Sequence, residues 1–183
     1  MHLRNHRPSV AVSAAITVLL SVLVTSCTSD TESDEKQYAV PSTLCGVPFD
    51  TSLIGPFLPA GRNLSVKQSS PNGGTTRCDV NIDGELAIRH MQTWWADGEN
   101  AATVSEGYDR MEDGQLIDDE RYFYSGTGAV GKTSVSCKSP EHPEQRLYGV
   151  VQVYAPGRSD AKAMKKLVLA YTEALDSSSA CHQ

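Results

Sequence analysis

Basic residues are scarce in this chain, which has 16 Lys and Arg against 22 Asp and Glu among its 183 residues. The first 26 residues hold Arg4 and Arg7 and no acidic residue, so the remainder carries a formal net charge of −8. Nucleic acids and anionic membrane surfaces are bound by clustered Lys and Arg. The charge balance therefore argues against nucleic acid as a partner.

Catalytic and metal-binding motifs are also lacking. After residue 26 the histidines are His90, His142 and His182, and no HExxH or GxSxG motif accompanies them. The cysteines show no CxxC or similar short spacing of the kind that zinc sites use. The sequence therefore predicts no metal, no cofactor and no catalytic residue, and His90 is expected to be a partly buried, hydrogen-bonded strand residue.

No apolar run is long enough for a comfortable membrane span, but a shorter one lies near the start. Residues 10–24 carry no charge and follow the basic residues Arg4 and Arg7. A basic head, about fifteen apolar residues and small residues before a cleavage point are typical of an export signal. Residues 1–26 are therefore predicted to be a signal peptide.

The end of this segment resembles a bacterial lipoprotein signal. Val24, Thr25, Ser26 and Cys27 match the lipobox, in which a branched apolar residue and two small residues precede the acceptor cysteine. By this resemblance Cys27 Sγ receives a diacylglyceryl group, with chains such as palmitate, and becomes the first residue after cleavage. Each buried acyl CH₂ contributes about 0.8 kcal/mol to membrane binding, so two or three chains form an anchor. The alternatives are an ordinary secretory signal in which Cys27 is incidental, and an uncleaved anchor.

Residues 27–43 are predicted to be the lipidated cysteine and an acidic, flexible tether. They contain Asp30, Glu32, Asp34 and Glu35 and little that a core would bury. Residues 44–183 are then predicted to be the folded extracytoplasmic domain.

The predicted domain has four cysteines: Cys45, Cys78, Cys137 and Cys181. An even number in an exported chain indicates disulfides, and three pairings are possible. We expect Cys45–Cys78 and Cys137–Cys181, because each pair would tie the outer end of a terminal helix to a neighbouring strand. Each would contribute roughly 3 to 4 kcal/mol in the chain-entropy model. The alternative is that one pair stays reduced.

Hydrophobic spacing predicts three helices, over residues 48–58, 97–111 and from 159 or 160 to about 175. Alternation predicts six strands, at residues 64–68, 75–82, 86–94, 117–124, 133–137 and 146–155. Short turns between strands favour antiparallel pairing. The predicted fold class is α+β, a mostly antiparallel sheet with helices packed on it, in the order α-β-β-β-α-β-β-β-α and with two disulfides.

Two motif matches are better explained by local structure. Residues 126–133 fit the phosphate-loop pattern GxxxxGK[ST], but the helix that should follow is replaced by residues 134–137, which alternate like a strand. Residues 79–84 match the first half of a calcium loop, yet its twelfth position is His90 instead of Glu. We therefore expect a glycine-rich connection at the first match, and a strand with a turn at the second.

Four aromatic residues suggest a binding surface. Trp94 and Trp95 are consecutive, as are Tyr122, Phe123 and Tyr124, so strands must place their rings on both faces of the sheet. One face would be core, and the other would expose a flat apolar surface for a sugar, peptide or lipid. We call Trp94, Trp95, Tyr122 and Tyr124 the aromatic platform. The alternative is that a helix covers these rings.

A cell-envelope hydrolase is the second hypothesis. Acidic residues cluster at Asp113, Asp118, Asp119 and Glu120. Asp118 and Glu120 would act as a general acid and base if both faced one cleft at a separation of roughly 5 to 9.5 Å. The alternative is a solvated acidic face beside Arg121.

Over most of residues 27–183 the chain resembles small actinobacterial cell-surface lipoproteins. The features that carry this resemblance are the lipobox, the acidic tether, Cys45-Gly46-Val47-Pro48, the glycine-rich entry to residues 134–137, and a terminal helix followed by Cys181. The resemblance implies a protein anchored by lipid on the outer face of the cell membrane, acting as a binding or interaction module for an envelope ligand or protein. It implies no catalytic residue.

Acylation of Cys27 can be tested by mass spectrometry of the membrane fraction. We expect an N-terminal Cys27 that carries acyl chains, and we expect Cys27→Ser to leave the membrane fraction because it has no chains to insert. Ser26→Ala keeps a small residue before the cysteine and serves as the control. A soluble wild-type product that begins at another residue would contradict the prediction.

Overall fold

The computed structural model describes residues 35–181. The predicted signal peptide, Cys27, the tether residues before 35 and His182 lie outside this range. Among residues 35–181, no helix is both long and apolar enough to cross a membrane.

The main element is a seven-stranded antiparallel sheet. Its strands are β3 (Leu64–Asn72), β4 (Thr75–Ile82), β5 (Glu85–Ala96), β6 (Gln115–Ile117), β7 (Tyr122–Tyr124), β8 (Gly128–Lys132) and β9 (Gln145–Val153). They lie side by side in the order β3-β4-β5-β9-β8-β7-β6. A separate two-stranded hairpin precedes it, formed by β1 (Thr43–Leu44) and β2 (Val47–Pro48). The sequence prediction of a mostly antiparallel sheet is confirmed.

The long strands β5 and β9 form the centre of the sheet, paired from Ile88 with Val153 to Ala96 with Gln145. Alternate β9 residues contribute to two different clusters, with Val151 in one and Val150 in the other. Since successive strand residues point to opposite faces, both faces of this centre are covered.

Helix α2 (Ala161–Asp176) covers one face, which we call the α2 face. Its N-cap is Asp160, whose carboxylate accepts a hydrogen bond from Ala163 N at 2.9 Å. Its buried residues recur at helical spacing: Met164, Leu167, Val168, Tyr171, Thr172 and Leu175. This stripe packs against inward residues of the sheet such as Ile88 and Val151.

Glycines let α2 approach the sheet closely. A Cβ on Gly131 in β8 would overlap Thr172 Oγ1 and would also lie 3.2 Å from Val168 Cγ2. Gly131 also belongs to the segment that matches the phosphate-loop pattern. Its close contact with α2 shows that this glycine serves helix packing.

The opposite face, which we call the α1 face, is covered by the short helix α1 (Ala101–Ser105) and the chain that follows it. Ala101 and Val104 are fully buried there with Val130, Tyr148 and Val150. Trp95, Tyr108 and Phe123 pack against the edge of this cluster.

The chain before β1 also packs on the domain. Lys36 forms a parallel bridge with Gly61, and Gln37 N donates to Gly61 O at 2.8 Å. Tyr38 and Val40 contact the core of the α2 face. The predicted tether boundary at residue 43 is therefore corrected, since the packed region already includes residues 36–43.

Two disulfides join Cys45 to Cys78 and Cys137 to Cys181, the pairs preferred from the sequence. Cys45 lies between β1 and β2, and Cys78 lies in β4. Cys181 lies in the 3-10 turn Ser179–Cys181 after α2, whereas Cys137 lies in a loop and not in the expected strand.

Two of the three predicted helices are much shorter than expected, so the predicted element order is only partly correct. The helix expected over residues 48–58 is instead a pair of 3-10 turns, Thr51–Leu53 and Gly55–Phe57. Pro56 lacks the backbone N–H that a continuous helix would use. The helix expected over 97–111 is limited to α1, because Gly107 follows and Arg110 adopts a left-handed φ of 68°.

Two predicted strands are also corrected. The strand expected at 117–124 is divided into β6 and β7, because Asp118, Asp119 and Glu120 all have positive φ and form a turn. The strand expected at 133–137 lies instead at β8, in the glycine-rich segment itself.

Gly131→Ala should reduce the free energy of unfolding by about 1–3 kcal/mol, because the new methyl group would overpack the contact with Thr172 and Val168. Chemical denaturation measures this change. Gly73→Ala is the matched control, since its Cβ would meet nothing within 4 Å. Equal stability of the two variants would contradict the packing role of Gly131.

Candidate functional site

The four residues of the aromatic platform do not form one exposed surface. Tyr122 and Tyr124 are only 6% and 8% exposed and belong to the core of the α2 face. Trp94 packs on the same face, but Trp95 packs on the α1 face. The strands β5 and β7 that carry them are separated by β9 and β8. The platform prediction is therefore corrected, and only Trp94 remains beside a polar cleft.

This cleft, the Trp94 cleft, has a volume of about 200 Å³. Trp94 is half-buried, and its ring stacks on that of His142 with centroids 4.8 Å apart and planes inclined by 16°. Most of the remaining lining is polar or backbone: Asn72, Gly74, Thr76, Gln92 and Glu141. A half-exposed indole beside several hydrogen-bonding groups is suited to a small polar ligand with one apolar surface.

The β3–β4 turn forms one wall of the cleft. Asn72 Oδ1 accepts a hydrogen bond from Gly74 N at 2.9 Å, an Asx-type contact that stabilises the turn. Trp94 N donates to Gly74 O, also at 2.9 Å, so the turn is attached directly to the strand that carries the indole.

The loop before β9 forms the other wall. His142 N donates to Ser139 O at 3.0 Å, and the His142 Nδ1 and Gln145 Oε1 atoms lie 2.7 Å apart. The base of this loop is held by the Cys137–Cys181 disulfide, beside which Lys138 N donates to Cys181 O at 3.2 Å. His142 is therefore positioned by contacts within its own loop.

Gln92 lines the inner surface of the cleft, which we call its floor, and two hydrogen bonds to the protein interior hold its side chain in place. Its Nε2 donates to Tyr171 Oη at 3.0 Å and to Cys45 O at 3.1 Å. Burial raises the pKa of the Tyr171 hydroxyl well above its ordinary value, so this floor stays uncharged at neutral pH.

His90 lies in the core and not in the cleft. It is 1% exposed, and neither of its ring nitrogens has a hydrogen-bond partner. Its ring packs against Tyr171 with centroids 4.0 Å apart. The predicted hydrogen-bonded histidine is therefore corrected to an unpaired one, which burial keeps neutral by lowering its pKa to about 3.

The carboxylates of the hydrolase hypothesis are exposed and do not line the Trp94 cleft. Glu120 Oε2 accepts a hydrogen bond from Asn100 Nδ2 at 2.5 Å, and Ala101 N donates to Glu120 O at 3.0 Å. Glu120 thus stabilises the start of α1. The positive φ angles of Asp118 and Asp119 are those of turn residues.

The two rejected motifs have structural roles. Lys132, the lysine of the phosphate-loop pattern, donates from Nζ to Asp97 O at 2.6 Å and to Glu99 O at 2.7 Å. In the calcium-loop match, the Asp79 carboxylate accepts two hydrogen bonds from Arg89. Asp83 accepts from Arg62 N and Asn63 N.

One set of metal-type ligands lies close together within the described range, namely Cys137, Asp176 and Cys181. The two sulfur atoms are bonded to each other, and Asp176 accepts hydrogen bonds from Ser134 N and Arg121 Nη2. These groups are occupied in the oxidised protein.

Sequence reasoning identified Trp94 but missed Gln92 and His142 as its neighbours. The alternation of the predicted strand 86–94 places Gln92 on the same face as Trp94, and this signal could have found it. His142 lies 48 residues after Trp94, in the loop before β9 whose base is held by a disulfide, and no sequence signal brings it to the indole.

Comparison with protein-family models, with curated proteins and with solved structures finds no match in any of the three.

The unpaired His90 predicts a loss of stability in mild acid. An unfolded histidine takes up a proton near pH 6.5, whereas the folded His90 resists protonation until about pH 3. The free energy of unfolding should therefore be unaffected by His90 above pH 6.5 and fall by up to about 1.4 kcal/mol for each pH unit below it.

His90→Leu should remove this slope between pH 6.5 and 5 and keep the stability at pH 7, because it replaces two unpaired nitrogens with apolar atoms. His142→Asn, at the partly exposed loop position, is the control and should retain the slope. Denaturation curves across this pH range measure the effect. A His90→Leu variant with the wild-type slope would show that other groups cause it.

Proposed function

We propose that this chain is a lipid-anchored binding module on the extracytoplasmic face of the cell membrane, with its ligand site in the Trp94 cleft. The proposal combines the lipobox at Cys27 with a disulfide-bonded domain. It assigns the domain to the α+β class, since one long helix lies on an antiparallel sheet.

The observation that carries the ligand proposal is the exposed part of the Trp94 indole at the edge of a polar cleft. Pockets for drug-sized ligands have volumes of roughly 300–1,000 Å³, so a cleft of about 200 Å³ suits a smaller group. Hydroxyl groups would match Asn72, Gln92 and Glu141, and a C–H face would match the indole. A single sugar residue combines these two properties.

The attachment of the chain before β1 to the domain also supports the proposal. Because Lys36 pairs with Gly61, at most eight residues (28–35) separate Cys27 from the packed chain. Fully extended, such a linker spans about 30 Å, so the domain would stay near the bilayer and meet the glycans of the cell envelope.

Titration of the domain with a panel of envelope-type saccharides tests this function through isothermal calorimetry, which also detects binding by variants that lack Trp94. We expect a saturable heat change for at least one saccharide, and Trp94→Phe should weaken that binding by about tenfold through loss of indole contact area. Trp95→Phe is the matched control, because Trp95 lies on the opposite face and should leave affinity unchanged. Equal affinity of the two variants would place the site elsewhere.

A further inference from the structure

A second concave site lies on the α1 face, away from the Trp94 cleft. This site, the Tyr108 pocket, has a volume of about 410 Å³ and is formed by α1, the chain after it and β7. Its lining combines the aromatic rings of Tyr108 and Phe123, the apolar side chain of Met111, and the carboxylates of Glu106 and Glu112. These residues take no part in the proposed saccharide site.

The charged residues that line the Tyr108 pocket are both acidic. Glu106 and Glu112 are the only charged residues among those that line it within the described chain, and both are exposed. Arg110, although close in sequence, does not line the pocket, because its guanidinium lies 4.8 Å from the centroid of the Tyr154 ring. No described lining residue therefore neutralises the two carboxylates.

The aromatic rings add a second preference for positive charge. The face of an aromatic ring attracts cations, and an organic ammonium also has methyl or methylene groups that pack on the ring. Phe123 is held in position because its ring lies directly against the backbone of Gly114, where any Cβ would overlap it.

The wall that carries Met111 and Glu112 is fixed before any ligand arrives. Arg110 O accepts hydrogen bonds from Ser125 Oγ and Thr127 Oγ1, both at 3.0 Å. Asp109 O accepts another from Gln152 Nε2, also at 3.0 Å. Preorganisation of this kind lowers the entropy cost of binding.

We propose that the Tyr108 pocket binds a small, free organic ammonium ion, with the positive group between the aromatic rings and the two glutamates. A zwitterionic lipid headgroup is the less suitable source of the same ammonium, because its phosphate would be repelled by Glu106 and Glu112. The site is independent of the Trp94 cleft, so failure of either proposal leaves the other intact.

The test uses choline as the probe and measures its binding by ¹H–¹⁵N NMR titration of the domain. We expect saturable shifts confined to residues 102–114 and to Phe123. The neutral isostere 3,3-dimethylbutan-1-ol should bind about tenfold more weakly, because it keeps the shape of choline without the charge. Phosphocholine should also bind more weakly than choline.

The variant Glu106→Gln/Glu112→Gln should weaken choline binding by about tenfold. Its matched control is Glu85→Gln/Glu173→Gln, which makes the same charge change at two exposed positions outside the pocket and should leave binding unchanged. Phe123→Leu, which keeps an apolar side chain but removes the ring face, should also weaken binding while the spectrum stays folded.

Four results would overturn the proposal. The first three are equal affinity for choline and its neutral isostere, equal losses in the two glutamine double variants, and choline-induced shifts centred outside the Tyr108 pocket. Phosphocholine binding at least as tight as choline would assign the pocket to a lipid headgroup and would also overturn the proposal as stated.

Discussion

The buried guanidinium of Arg146 joins the parts of the chain on which both candidate sites depend. It lies at the start of β9, donates from Nε and Nη2 to Asp97 Oδ1 at 2.9 and 2.7 Å, and donates from Nη1 to Ser134 O and Cys137 O. A buried charge is tolerated only when such partners satisfy it. The carbonyl groups of Ser134 and Cys137 belong to the loop that leads to His142 in the Trp94 cleft. Asp97 belongs to the segment that leads to α1 in the Tyr108 pocket. The Arg146 side chain therefore holds a segment of each site in place.

Periodic segments were predictable because a single physical signal determined each of them. The buried stripe of α2 recurs at helical spacing, and the alternation in β4 matches the two faces of the sheet, whereas β5 is buried on both faces. Hydrophobic periodicity gave wrong predictions where tertiary contacts override the secondary-structure propensity of the residues. Glycines disfavour a strand in isolation, yet β8 requires Gly131 because α2 passes so close to it.

The strand wrongly predicted at residues 133–137 and the site residues that the sequence did not reveal have the same cause. Arg146 takes the carbonyls of Ser134 and Cys137, which a strand would have used in its ladder. Likewise, the contact between Trp94 and His142 depends on a loop that the second disulfide and this network hold in place. Local sequence carries propensities and side-chain spacing, but not the long-range partners that decide between a strand and a loop.

The position of the Cys45–Cys78 disulfide has a mechanical consequence. Residues 36–40 are attached to the domain by a bridge to Gly61 and by side-chain packing, an arrangement that opens one contact at a time under load. A pulling force applied from the N-terminal side would peel this segment only as far as Cys45, where a covalent bond passes the load directly into β4 within the sheet. Because β4 is paired with β3 on one side and with β5 on the other, the hydrogen bonds on both sides of Cys78 then bear the load together.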